Sequence, residues 1–228
     1  MADLVVVGAH DPLLVTLSVA VAVTASFTAL DLAGRIRAAV GVTRWVWLAT
    51  AALAMGGGIW SMHFVAMLAF NMSLPLSYDL PLTVLSLTLA ILVTGLGFAV
   101  VGDSDAGSRP VRLALGGLLM GTGIAVMHYT GMAAMRMPAT LSYDPLLVAT
   151  SVMIAIGAST AALRLASCDA SGKARAAAAS CMGLAISAMH YTGMGAAAFN
   201  GHSPLGHDMA MIWPRLNFRA TQPWTKWA

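Results

Sequence analysis

The chain alternates long apolar runs with short polar breaks. A helix that crosses the hydrocarbon core of a bilayer needs about 20 mostly apolar residues, and each run is at least roughly that long. The runs cover residues 12–33, 45–70, 81–101, 112–136, 145–166 and 177–199. The pattern therefore predicts an all-α membrane protein with six transmembrane helices.

The composition agrees with a chain that lies mainly in lipid. Of its 228 residues, 59% are hydrophobic and 9% are charged, and the mean hydropathy is +0.81. A soluble domain carries about 25% charged residues. We therefore expect a multi-pass protein whose main partner is the lipid bilayer, with no nucleic-acid partner.

The positive charges predict how the chain is oriented. Arginine and lysine collect in the breaks after the first, third and fifth runs: Arg35, Arg37, Arg44, Arg109, Arg112, Arg164, Lys173 and Arg175. The breaks at 71–80 and 137–144 contain none. Short loops rich in lysine and arginine stay in the cytoplasm, so the N-terminus is expected outside. Residues 201–228, which hold four aromatic residues, are then expected to form an outer-side or interfacial tail.

One motif occurs three times: Met-Gly, five residues, Met-His, three residues and Met. The copies run from Met55 to Met67, from Met120 to Met132 and from Met182 to Met194, and their histidines are 65 and 62 residues apart. Each copy lies near the end of an even-numbered apolar run. We therefore expect three repeated helical hairpins, at about 10–70, 78–136 and 143–199, within one domain of residues 1–200.

The repeat puts His63, His128 and His190 at one depth, about two helical turns from the outer ends of their helices. Ionisable groups at such a depth usually face the bundle interior or a functional site. A methionine follows each histidine by four residues on the same helix face: Met67, Met132 and Met194. Three such sets related by repeat symmetry are expected to converge.

The chemistry of these side chains favours copper. Imidazole binds copper, zinc and iron, whereas a thioether selects soft metals, copper(I) above all. Haem with histidine or methionine axial ligands is the alternative. Taken singly, each histidine or methionine is also explained by hydrogen bonding or packing within a helix bundle. Met55, Met120 and Met182, two turns deeper, are interpreted as packing residues.

Residues 127–130 and 189–192 both spell Met-His-Tyr-Thr, and residues 62–65 spell the variant Met-His-Phe-Val. From about residue 10 to 200 the chain resembles the MHYT domain family, an N-terminal repeat of bacterial signalling proteins. The resemblance implies an integral sensor domain in the bacterial inner membrane. It also implies a copper site that detects oxygen, carbon monoxide, nitric oxide or redox state. Carried over by position, the ligands include Met62, Met127 and Met189 beside the three histidines, with Tyr129 and Tyr191 as cofactor-binding residues.

The first copy departs from the family pattern, since Phe64 has no phenol. Many family members continue into a cytoplasmic output module, so a separate cytoplasmic or membrane signalling partner is expected here. The chain has no Ser/His/Asp set, paired carboxylates or phosphate-cradling loop, and we expect no enzymatic activity. The alternative function is that of a copper- or haem-handling accessory or transport protein of the membrane.

Overall fold

A computed structural model describes residues 4–5, 9–71, 76–102, 109–137, 139–168 and 171–201. These residues form six long helices: α1 (Pro12–Ala38), α2 (Gly41–Ala69), α3 (Leu80–Gly102), α4 (Arg109–Ala133), α5 (Pro145–Ala166) and α6 (Gly172–Gly195). They also form seven short strands: β1 (Leu4–Val5), β2 (Ala9–His10), β3 (Phe70–Asn71), β4 (Ser77–Tyr78), β5 (Met135–Arg136), β6 (Ala139–Tyr143) and β7 (Ala197–Gly201). Six helices are present where the six apolar runs predicted them, and the tail after residue 201 lies outside the described residues.

The strands correct the predicted ends of two helices. Residues 135–136 and 197–199 were expected to be helical, but α4 ends at Ala133 and α6 ends at Gly195. The chain then turns into β5, which pairs with β4, and into β7, which pairs with β1 and β6. Antiparallel pairing gives the backbone groups beyond each helix end a partner, and apolar periodicity cannot distinguish this from one more helical turn.

All seven strands lie at one end of the bundle, which we call the strand end. Asp11 and Asp144 cap α1 and α5 by accepting hydrogen bonds from backbone N–H groups of the first turn. Asp79 does the same for α3 through the backbone N–H of Leu82, at 3.1 Å. The backbone N–H of each aspartate also donates to a carbonyl at the end of the following helix, at Ala69, Ala134 and Ala196. Each odd-numbered helix is thereby tied to the even-numbered helix that follows it.

The helices form a ring in which each packs against the next and α6 packs against α1. Three glycines of the repeated motif allow the close approach. A Cβ added to Gly56 would lie 2.6 Å from Cα of Ile91, and one added to Gly121 would lie 2.4 Å from Cα of Ile156. A Cβ on Gly183 would lie 2.7 Å from the backbone nitrogen of Val23. These contacts join α2 to α3, α4 to α5 and α6 to α1, as small residues do between membrane helices.

The surface is apolar and the interior is built from small residues and methionine. Leu13, Trp45, Leu53, Leu146 and Met153 are all more than half exposed, and many other large apolar side chains face outward with them. Among the described helices, α1 to α5 are long and apolar enough to cross a membrane. A surface of this kind suits contact with lipid rather than water, so the chain is a multi-pass membrane protein.

At the end opposite the strands, arginines tie α1 to α5 and α6. Asp31 pairs with Arg35 of the same helix at 3.2 Å, as the spacing of four residues predicts, and also with Arg175 of α6. Arg37 donates to the backbone carbonyls of Ala166, the last residue of α5, and of Cys168. Arginine side chains thus tie the helices at this end, while backbone pairing joins them at the strand end.

Candidate metal centre

The three repeated histidines meet inside the ring of helices. His63 comes from α2, His128 from α4 and His190 from α6, and each side chain is at most 1% exposed. Nδ1 of His63 lies 3.0 Å from Nδ1 of His190 and 3.1 Å from Nδ1 of His128. The ring centroids are 4.8, 5.0 and 5.1 Å apart. The expected convergence is therefore present, with the Nδ1 atoms facing one another.

The spacing of these nitrogens fits a bound metal ion. Three nitrogens at about 2.0–2.1 Å from a tetrahedral metal are roughly 3.3 Å apart, close to the separations that His63 makes with its two neighbours. The three histidines each offer one ligand nitrogen, and these nitrogens all lie within 4.8 Å of one another. A ring protonated at Nδ1 can donate to a neighbouring Nδ1, whereas rings protonated at Nε2 direct their Nδ1 lone pairs at one another, and a bound cation removes that repulsion.

The opposite nitrogen of each ring is also buried. Nε2 of each histidine has no hydrogen-bond partner within the described part of the chain. Two glycines make room for these atoms: a Cβ on Gly131 would lie 2.3 Å from Nε2 of His63, and a Cβ on Gly193 would lie 2.4 Å from Nε2 of His128. Both glycines follow their own helix's histidine by three residues. Small residues in membrane helices usually serve close helix contact, and these two also accommodate imidazole.

The predicted methionines lie in two groups around the histidines. Met62, Met127 and Met189 are buried in the main core with the small residues of the helices. The second group, at the strand end, contains Met67, Met132, Met194, Met135 and Phe199 in one cluster, which we call the methionine cap. Every methionine predicted as a ligand is therefore buried. Three of them precede a histidine by one residue, and the other three lie on the strand-end side of the histidines.

The two predicted tyrosines bond to serines of the next helix. The hydroxyl of Tyr129 lies 2.8 Å from Oγ of Ser151 in α5, and that of Tyr191 lies 3.0 Å from Oγ of Ser18 in α1. Each serine hydroxyl is 2.7–2.8 Å from a backbone carbonyl three residues earlier, so it accepts from the phenol. The tyrosine rings still make edge contacts with the neighbouring histidine rings, at 4.9 and 5.1 Å.

In the first hairpin Phe64 has no hydroxyl, and a tryptophan instead makes the hydrogen bond to the serine of the next helix. Nε1 of Trp60 donates to Oγ of Ser86 at 3.0 Å, while Phe64 packs against Trp60 at 4.8 Å. Sequence reasoning missed this pair and the three serines. The signal was present, because a serine follows each capping aspartate by seven residues, at positions 18, 86 and 151.

The residue before each capping aspartate covers the site from the strand end. His10 lies 5.7 Å from Tyr191, Tyr78 lies 5.5 Å from Phe64 and Tyr143 lies 5.5 Å from Tyr129, all measured between ring centroids. These rings contact the aromatic residues beside the histidines. The centre is thus enclosed by an aromatic layer as well as by the methionine cap.

A family profile matches the chain twice. MHYT, the bacterial signalling protein N-terminal repeat, covers residues 56–115 and 121–179, about half of the chain. The resemblance drawn from the repeated tetrapeptide is therefore confirmed. No solved structure matches the chain.

Three curated relatives are similar over most of this chain. The bifunctional diguanylate cyclase/cyclic di-GMP phosphodiesterase MucR of Pseudomonas aeruginosa is 50% identical over 88% of the chain and 29% of its own length. The cyclic di-GMP phosphodiesterase NbdA of the same organism is 42% identical over 82% of the chain and 24% of its length. The signaling protein YkoW of Bacillus subtilis is 35% identical over 84% of the chain and 24% of its length. The chain spans about a quarter of the length of these relatives.

Proposed function

The chain belongs to the MHYT family of bacterial signalling N-terminal repeats, and we propose that it is a membrane sensory domain that binds copper through His63, His128 and His190. The observation that carries the proposal is the approach of three buried Nδ1 atoms to 3.0 and 3.1 Å around His63. Where the rings are protonated at Nε2, their Nδ1 lone pairs point at one another inside the bilayer, which is costly. A metal ion bound to the Nδ1 atoms offsets that repulsion.

Copper is favoured over zinc and over haem by the surrounding side chains. The methionine cap supplies thioethers near the histidines, and thioethers select copper(I). Nδ1 atoms about 3 Å apart leave no room for a porphyrin between two of these rings. Bound copper supplies a centre that changes oxidation state or coordinates a diatomic gas such as oxygen, carbon monoxide or nitric oxide. The chain's own residues hold the ion and exclude water from it.

The signal is proposed to leave through other protein modules. The names of the Pseudomonas relatives describe synthesis or breakdown of cyclic di-GMP, and this chain matches about a quarter of each. We therefore assign sensing to the matched region and output to a cytoplasmic or membrane partner module, with no catalysis in the region itself. The arginine contacts of Asp31 and Arg37 at the far end of the bundle lie where such a module would read a change in helix packing.

We further propose six spans, with the strand end outside the inner membrane. Although α6 is less apolar than the other helices, it closes the ring between α5 and α1 and carries His190 at the depth of the other histidines. A test uses single cysteines in a background with Cys168 and Cys181 replaced. An impermeant thiol reagent added to intact cells should label Ser77→Cys at the strand end and spare Ser171→Cys. The reverse pattern would contradict the orientation.

The copper site is tested by metal analysis and an optical spectrum of the purified protein. His128→Ala/His190→Ala should lose the bound copper, because one imidazole of the three remains. Replacing His202 and His207, which lie outside the described residues, should leave the copper content unchanged. A folded histidine double variant that keeps a full equivalent of copper would refute the site. A Soret band with the wild-type protein would favour haem instead.

A further inference from the structure

A cavity of about 20 Å³ lies deeper in the ring than the histidines. Each even-numbered helix contributes at least one methionine and one isoleucine to its wall, among them Met55, Ile59, Met120, Ile124, Met182 and Ile186. These six side chains are at most 7% exposed. The fourth side is formed by α5, where Ala155 and Ser159 face the space. The deep methionines, interpreted from the sequence as packing, thus border a space that they do not fill.

The walls favour a small uncharged molecule. A cavity must offer about 10–15 Å³ to hold one water-sized molecule, so this one accepts a single molecule of that size. Water needs two to four polar partners, and Ser159 alone among the lining side chains carries a polar N–H or O–H group. A second copper ion is disfavoured because the lining holds no charged residue, and an unbalanced charge in a bilayer is costly.

The cavity lies about one helical turn deeper than the proposed copper site. Its three isoleucines each precede a site histidine by four residues, which is one helical turn. Side chains in a helix lean toward its N-terminus, so the histidine rings lean toward these isoleucines. Met189, next to His190, also lines the space. The cavity therefore lies on the deep side of the three histidines, which do not themselves line it, while the methionine cap lies on the other side.

Small side chains on α5 leave room for the cavity, whereas larger side chains fill the equivalent positions of α3. Ala158 and Ser159 follow the capping Asp144 by 14 and 15 residues, and the same positions in α3 are Val93 and Thr94. The larger Thr94 fills its place and donates to the carbonyls of Ala52 and Ala90, at 3.2 and 2.8 Å. The first helix has the same small pair, Ala25 and Ser26, but it approaches α2 closely there, since a Cβ on Gly58 would lie 2.2 Å from Cβ of Ala25. Space is therefore left beside α5.

We propose that this cavity is the binding chamber for a diatomic molecule or an atom of similar size. Only the part of the inference that puts copper beside the chamber rests on the proposed function. The chamber itself is a property of the lining side chains. It assigns to α5 a role in selecting the ligand by size.

The first test measures xenon binding to metal-free protein in nanodiscs by ¹²⁹Xe NMR. Ser159→Val, which fills the cavity, should reduce the protein-specific xenon affinity by about tenfold or abolish it. Ile124→Val, which enlarges the cavity, should raise the affinity. Ala161→Val makes a similar change on the exposed face of the same helix and should have no effect. Equal xenon binding by wild type, Ser159→Val and Ile124→Val would overturn the chamber.

The second test loads the same variants with copper(I) and records the C–O stretch of added carbon monoxide. Ser159→Val should keep the copper content and weaken carbon monoxide binding by about tenfold, whereas Ala161→Val should match the wild type. Unchanged carbon monoxide affinity in Ser159→Val would overturn the placement of the ligand on the deep face. If the wild-type protein does not bind copper(I), the proposed function is refuted. The xenon measurement then tests the chamber independently.

Discussion

The first hairpin, α1 and α2, differs from the other two around an identical histidine. The indole of its Trp60 donates to Ser86 of α3, whereas in the other two hairpins tyrosine phenols donate to Ser151 and Ser18. Its residue three positions after the histidine is the buried Ala66, where the other helices have Gly131 and Gly193. The repeat therefore preserves the histidine in every copy and allows its supports to vary.

The difference separates two kinds of constraint. A serine at this depth needs a donor, and an indole or a phenol meets that need equally well, because both present one N–H or O–H from a large ring. The space beside the imidazoles of His63 and His128 depends on glycine. At Gly131 and Gly193 even one methyl group would lie within 2.4 Å of a ring nitrogen. The predictions below test this division.

The largest effect is expected at the glycines beside the histidines. Gly193→Ala and Gly131→Ala should each destabilise the protein by about 1–3 kcal/mol, as overpacking does, and weaken copper binding at least about tenfold. Gly195→Ala is the matched control, since an added Cβ there meets no atom within 4 Å. Thermal unfolding and copper competition measure both effects. If Gly193→Ala behaves like Gly195→Ala, then α6 tolerates alanine as α2 does at Ala66. The space beside the imidazole would then be no more constrained than the serine hydrogen bonds.

The next effect concerns the methionine cap. Met→Leu roughly conserves volume and usually costs under about 1.5 kcal/mol, so the triple variant of Met67, Met132 and Met194 should fold. Loss of the thioethers should lower copper(I) affinity relative to harder ions, by about tenfold. Single variants should lose more at Met132 and Met194 than at Met67, whose hairpin diverges. Competition with a copper(I) chelator measures this, and unchanged affinity would return all three to packing.

A smaller effect is expected from the serine bonds. Tyr129→Phe and Trp60→Phe each remove one donor and should cost about 0.5–1.5 kcal/mol in stability, with copper content unchanged. Phe64→Tyr combined with Trp60→Phe should recover part of that loss, because it installs the phenol of the other hairpins. Thermal unfolding with copper analysis tests the pair. Copper loss in Tyr129→Phe would make the phenol a ligand, as the family resemblance implies.

The smallest effect involves an ion pair described for one capping aspartate. Arg136 donates to Asp79 at 2.6 Å, and this hydrogen bond holds the pKa of Asp79 below its ordinary value of 3.8. A lowered folded-state pKa stabilises the protein above pH 3.8, and the stabilisation is lost as the pH falls through the folded value. Arg136→Gln should therefore lower the unfolding temperature slightly at pH 6, and the gap should close in acid. A gap independent of pH would exclude the ion pair as its cause.

Several elements were predictable because they depend on local rules. Asp11, Asp79 and Asp144 mark helix starts through the chemistry of capping, and the bounds of α5 follow from its apolar run. The repeated motif also indicates that three histidines share a depth, since helical rise per residue is constant. The strands were not predictable, because an apolar stretch after a helix has no periodicity that distinguishes β5 and β7 from a further turn.

The sequence by itself determined the six helices, their repeat and the identity of the three histidines, because hydrophobic length and periodicity act along one helix at a time. The tertiary structure alone decided which atoms meet. It turns Nδ1 inward at His63, His128 and His190, places Gly131 and Gly193 against Nε2, and leaves a cavity beside α5. These features depend on contacts between helices, and such contacts arise only when side chains from different hairpins compete for the same space.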